Sequence, residues 1–180
     1  MKVLVDADSL PKAVRSIVIK AAIKRNLDIT FCSDRFLKDI QSAYNTHTSL
    51  LRKIAKENGI SEKEELTKIK SSIKQIVVET GDDSADDKIV EIAEKDDLAI
   101  THDIPLSDRL VTNGVMVIND RGAIYTEDNI KARLSLRNAM TELRSYGVNL
   151  EKNGSMSQKD VKAFADAFSR TLDNMERNND

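Results

Sequence analysis

Short runs of apolar and β-branched residues recur along the chain, and each is separated from the next by a longer stretch with helical periodicity. That alternation constrains the fold more than any other feature, because it builds βαβ units and therefore a mostly parallel sheet with helices on its faces. The spacing predicts five strands, at 2–5, 28–32, 75–78, 98–101 and 115–118. Between the first two, Pro11 sits near a helix start that Asp8 or Ser9 can cap, and Val14, Ile17, Val18, Ala21 and Ala22 form its apolar stripe. Between the second and third, residues 42–74 read as two helices. Leu50, Leu51, Ile54 and Ala55 mark the first, Asn58-Gly59 ends it, and Ser61 with Glu64 has capping-box spacing for a second carrying Leu66, Ile69 and Ile73. A helix opening at Tyr125-Thr126-Glu127-Asp128 runs to about Ser145 and stops at Gly147. In the last helix, Ser157 and Asp160 form the cap, and the stripe of Val161, Phe164, Ala165, Phe168, Leu172 and Met175 requires an apolar surface to dock on. The chain end from 176 to 180 should fray.

The expected architecture is a three-layer α/β/α sandwich around a central, mainly parallel five-stranded sheet, with helices inserted before strand three. Residues 1–150 form the domain, and 151–180 a tail and helix packed on it. With 180 residues, 40% of them hydrophobic, the chain can bury a sizeable core. No apolar run approaches the roughly 20 residues of a membrane span, and Met1-Lys2 leads into only three apolar residues before Asp6, so no targeting segment is read and a cytoplasmic location is expected. The lone Cys32 lies in an apolar run and reads as a buried hydrophobe. A net charge of −2 gives no global basic field. Locally the charge is uneven: residues 42–74 hold seven Lys and Arg against four acids, either a phosphate-facing lobe or a solvated face, and 82–103 holds nine acids against two lysines. The six glycines never come close enough to form a phosphate-binding fingerprint, which removes dehydrogenase and kinase readings. Aromatic residues, at 4%, are too few for a base-stacking platform.

In open parallel sheets ligands bind beyond the carboxyl ends of the strands. Two predicted strands end in acids there, one at Asp6-Ala7-Asp8 and one at His102-Asp103, and the group Asp82, Asp83, Asp86 and Asp87 follows the third. Three acidic loops on one edge can converge on Mg²⁺ or Mn²⁺, which take carboxylate oxygens and retained waters and can activate water for phosphodiester cleavage. Each acid has an alternative as a helix cap; Asp82 and Asp83 sit at a cap position, Ser84 with Asp87 has capping-box spacing, and Asp8 can cap the first helix. Asp6 and Asp103 are the least well placed to cap and lead the candidates. His102, beside Asp103, is either a ligand or base or a surface neighbour; His47 has no partner in sequence and receives no role. Arg133, Arg137 and Arg144 share one helix face and Arg121 follows the fifth strand, so they read either as phosphate ligands or as a solvated stripe paired with acids.

Several of these segments together resemble the YaiI/YqxD family: Val5-Asp6-Ala7-Asp8, Ala85-Asp86-Asp87-Lys88-Ile89-Val90, Leu98 through Thr101-His102-Asp103-Ile104-Pro105-Leu106, Asn119-Asp120-Arg121-Gly122, Tyr125 to Ile130, and Ser155-Met156-Ser157-Gln158-Lys159-Asp160. That family in turn resembles the PIN-like nucleases. The resemblance implies that Asp6, Asp87 and Asp103 are catalytic metal ligands, with Asp8, Asp86 and Asp108 as auxiliaries, and that the reaction is Mg²⁺- or Mn²⁺-dependent hydrolysis of RNA, in which Arg121, Arg133 and Arg137, by their positions, are the expected phosphate ligands. Leu10 stands where the family carries a cysteine, so no thiol role follows, and the family is shorter between strands two and three, which makes 42–74 read as an insertion. That insertion covers the active edge, dimerises or binds a substrate strand, and it or the C-terminal helix is the expected surface for a homo-oligomer. A second reading follows haloacid-dehalogenase-like phosphatases, with Asp6 as nucleophile, Asp8 as acid/base, Ser33, a lysine such as Lys74, and Asp82 and Asp86 on Mg²⁺. A third is a non-catalytic scaffold whose acids are structural.

Overall fold

The computed structural model describes residues 1–79, 84–148 and 154–178. Its six strands are β1 (Val3–Asp6), β2 (Ile29–Ser33), β3 (Ile73–Val77), β4 (Leu98–Ile100), β5 (Met116–Ile118) and β6 (Ile124–Tyr125). They lie in the order β3-β2-β1-β4-β5-β6, parallel except for β6, which runs antiparallel to β5. The helices are α1 (Lys12–Arg25), α2 (Lys38–Glu57), α3 (Lys63–Lys68), α4 (Ser84–Ile92), α5 (Ile104–Thr112), α6 (Glu127–Ser145) and α7 (Gln158–Asn178). The sixth strand corrects the five expected. It is two residues long, below the length at which alternation is visible, and Gly122 at φ +84° turns the chain back so that it pairs with β5.

Alternation along the strands divides the core into two layers. Val3, Val5, Ile29, Phe31, Leu98 and Ile100 face one way and pack with α1, the start of α2 and α7. Leu4, Cys32, Ala99 and Val117 face the other way and pack with Ile89 of α4, Leu106 and Leu110 of α5 and Ile130 of α6. The apolar surface that α7 needed is therefore this chain's own: Phe164, Phe168, Leu172 and Met175 are all buried in the first layer, so the stripe is not free to hold a second subunit.

Local capping signals act unevenly. The Thr126–Asn129 capping box forms, as does the reciprocal Ser157–Asp160 pair. The Ser61–Glu64 box does not; α3 starts after Glu62 without a side-chain cap and is one short turn and a half, and Ile73 belongs to β3. Asp8 and Ser9 do not cap α1, which begins after Pro11. Asp82 and Asp83 lie outside the described residues.

Two buried titratable groups define the crossover and the centre of the sheet. His47 on α2 is 1% exposed, with Nδ1 2.9 Å from the Ser71 hydroxyl, and Ser71 N–H donates to the Thr48 hydroxyl at 3.0 Å. Burial lowers the His47 pKa below its ordinary value. An imidazole that titrates lower in the folded than in the unfolded chain contributes stability above its unfolded value of about 6.5, and loses it as pH falls. The urea midpoint of the wild type relative to that of His47→Gln should therefore fall between pH 7.5 and 5.5; parallel curves would exclude His47 as a source of pH dependence. Cys32, fully buried beside Asp6, has its thiol pushed up to about 12 by burial. Native protein at pH 8 should resist disulfide-exchange labelling and react only as urea unfolds it, and prompt labelling without urea would contradict this burial.

Candidate functional site

The strand order 3-2-1-4-5 reverses direction between β1 and β4, and in doubly wound sheets ligands bind beyond the carboxyl ends of the strands at that switch point. Here the two loops are 7–11 after β1 and 101–103 after β4. A groove of about 480 Å³ opens over them, with Ser9, His102, Asp103 and Ile104 on one side and Arg133, Leu136, Arg137, Met140 and Arg144 of α6 on the other. A second cleft of about 330 Å³ adjoins it, lined by Asp86, Asp103, Pro105, Leu106, Arg109 and Arg137. Asp103 and Arg137 line both.

His102 is an exposed side chain of the groove lining. Its Nδ1 lies 2.8 Å from Oδ1 of Asp120, which is 5% exposed, while the imidazole itself is half exposed. The hydrogen bond to Asp120 raises the His102 pKa above its ordinary value, against burial and Arg121, which lower it. A buried carboxylate holding one ring nitrogen fixes the ring and leaves Nε2 as its remaining polar edge. Asp120 is the site residue that sequence reasoning misses as a partner; it stands in the Asn119-Asp120-Arg121-Gly122 segment at the end of a predicted strand, which is the available signal.

The arginine row follows from helix geometry. Positions 133, 137 and 144 fall within about 40° of one another at 3.6 residues per turn and span about 16 Å. Arg133, Arg137 and Arg144 are exposed, and no ion pair to an acid is found for any of them among the described residues. Arg121 is elsewhere: its guanidinium donates to the Gly154 carbonyl at 2.9 Å and pairs with Asp160 at 3.0 Å, tying the start of α7 to the β5–β6 turn.

The carboxylates expected to share a metal take separate tasks. Asp6 is 4% exposed and accepts from the Thr101 hydroxyl at 2.6 Å and from Ser9 N–H at 3.3 Å. Asp103, expected to be poorly placed to cap, is the N-cap of α5 and accepts from Leu106 N–H at 2.7 Å, because Pro105 opens a helix there. Asp87 is mostly exposed and pairs with Arg109 at 2.7 Å. Asp8 accepts from Asp34 N–H and faces Arg35 at 3.6 Å, and burial raises its pKa. Asp108 binds Lys131 at 2.8 Å and locks α5 to α6. Asp86 lines the second cleft with Asp103. Among the described residues no three of His, Cys, Asp or Glu come together as a metal-binding group. A three-carboxylate Mg²⁺ or Mn²⁺ centre therefore does not fit this arrangement. Of the described residues in the phosphatase set, Lys74, early in β3, pairs with Asp28 at the amino end of the sheet at 2.9 Å, away from Asp6, and the Ser33 hydroxyl is buried and donates to the Arg35 carbonyl.

A doubly wound α/β domain with adjoining clefts at its switch point is the class that the fold and site define. The family described as "Uncharacterized BCR, YaiI/YqxD family" matches residues 51–174, and the chain belongs to it. UPF0178 proteins of Aliivibrio salmonicida and Maridesulfovibrio salexigens are 36% and 35% identical, each over 96% of this chain and 95% of the relative. One from Ectopseudomonas mendocina is 34% identical over 98% of this chain and all of its own length. These alignments run nearly end to end on both chains. No solved structure matches the chain. No helix among the described residues is long and apolar enough to cross a membrane.

Proposed function

We propose that the switch-point groove binds and cleaves phosphodiesters of RNA. The observation that carries this reading is the meeting of a His–Asp pair with a row of arginines across one groove. Arginine forks match phosphate oxygens and stay charged, so Arg133, Arg137 and Arg144 hold backbone phosphates along α6. His102, kept in one orientation by Asp120, handles the proton at the reacting phosphate, a role that typically contributes 10²–10⁴-fold. The choice of RNA over other phosphodiesters rests on the likeness of the acidic and Thr-x-Asp segments to PIN-like nucleases. The test is cleavage of an end-labelled single-stranded RNA, with Mg²⁺ and Mn²⁺ present and with both removed. His102→Ala should lose about 10²-fold or more in rate, with its fold intact by circular dichroism. Cleavage at the wild-type rate in His102→Ala would sink the assignment, and no cleavage by the wild type under any condition would leave a binding scaffold.

A further inference from the structure

Two hydrogen-bonded branches leave a single buried carboxylate at the end of β1. On one, Asp6 Oδ2 accepts from the Thr101 hydroxyl at 2.6 Å, and the Thr101 oxygen accepts from the backbone N–H of Asp103 at 3.0 Å. On the other, Asp6 Oδ1 accepts from Ser9 N–H at 3.3 Å, while the Ser9 hydroxyl donates to the Asp6 carbonyl at 3.3 Å and accepts from the backbone N–H of His102 at 3.1 Å. The branches end on two adjacent residues that line the groove.

We propose that Asp6 is a positioning residue, which sets His102 and Asp103 from beneath by clamping the loop after β1 to the loop after β4, and which ligates neither a cation nor a substrate atom. The inference rests on the reading of the groove as the reactive site. Three features support it. Both Asp6 oxygens are already bonded to protein donors, and the residue is 4% exposed, whereas a ligand needs an oxygen open to the groove. A carboxylate is also the group this junction requires, since it accepts on both oxygens, while an amide would turn a donor toward either Ser9 N–H or the Thr101 hydroxyl. Finally, β1 and β4 pair directly but their connection crosses β2 and β3, so the two exit loops have no covalent tie near the site.

The test uses Asp6→Asn, Thr101→Val and Ser9→Ala, read by backbone amide resonances, Mn²⁺ calorimetry and RNA kinetics. Asp6→Asn should shift the amides of both His102 and Asp103, Thr101→Val mainly that of Asp103, and Ser9→Ala mainly that of His102. If Asp6→Asn fails to fold, the two single-branch variants carry the comparison. Misplacement of about 1 Å costs on the order of 10² in rate, so kcat per folded molecule, with the folded fraction taken from urea curves, should fall by that order while KM, set by the arginine row, stays unchanged; loss of stability alone would lower the folded fraction and leave kcat per folded molecule as it was. Mn²⁺ affinity should be the same in wild type and Asp6→Asn. Loss of Mn²⁺ binding in Asp6→Asn with retention in the other two would make Asp6 a ligand and overturn the proposal, as would unmoved His102 and Asp103 amides. Should the wild type cleave no RNA, the reading of the groove falls, while the amide and Mn²⁺ measurements still decide the role of Asp6.

Discussion

Replacing Arg137 with alanine should weaken single-stranded RNA binding by about tenfold or more and flatten its dependence on salt. Arg137 lines both clefts, so a bound backbone passes it whichever way it runs. A hydrogen bond to a charged group is worth about 1.5–3 kcal/mol, and each phosphate of a single strand that is no longer neutralised removes about 0.7 from the slope of log K against log salt. The triple change of Arg133, Arg137 and Arg144 should then reduce the slope by about 2. Arg170, exposed on α7 and outside the groove, is the control and should change neither affinity nor slope. Fluorescence anisotropy between 50 and 200 mM salt measures both quantities, and an unaltered slope in the triple variant would remove α6 from the binding surface.

The largest loss of stability is expected at Phe168. Its ring stacks on Phe164 at 5.5 Å with 17° between planes, and both are buried in the layer that α7 closes over β1, β2 and α1. Phe168→Ala should cost about 3–5 kcal/mol, from reduced burial and the cavity left behind, a large share of the 5–15 kcal/mol typical of a domain. Urea denaturation measures it, and a loss below about 1 kcal/mol would mean that α7 is not part of the cooperative core. Gly122 tests the same seam from the other side. At φ +84° it approaches α7 so closely that an added Cβ would lie 2.7 Å from the Ala163 carbonyl oxygen. Gly122→Ala should therefore destabilise the protein both through backbone strain and by pushing the β5–β6 turn off α7.

Periodicity makes the sheet and most helices readable in advance. Val3-Leu4-Val5 alternates between two buried layers, the α1 stripe is the one that packs, and the Thr126 and Ser157 caps act through neighbours three residues away. β6 and the start of α5 are less legible because each depends on a partner distant in sequence or on a very short segment. The acids at the site show the same divide. Asp6 and Asp103 are recognisable as strand-end residues, but a strand end is equally suited to a ligand, a cap or a brace. Thr101, 95 residues from Asp6, makes it a brace, and a helix opening at Ile104 makes Asp103 a cap.

The sequence by itself determined the α/β class, the parallel order of short strands and crossover helices, and the edge of the sheet where polar residues gather. Those properties follow from hydrophobic period and local capping, which act over a few residues. Only the tertiary structure decided which polar groups meet: Asp120 with His102, the arginine row with the switch point, and Asp6 with two loops instead of with Asp87. Hydrogen bonds and charge pairs of this kind depend on distances of about 3 Å between residues tens of positions apart. No local pattern encodes them, because the packing of the helices on the twisted sheet sets them.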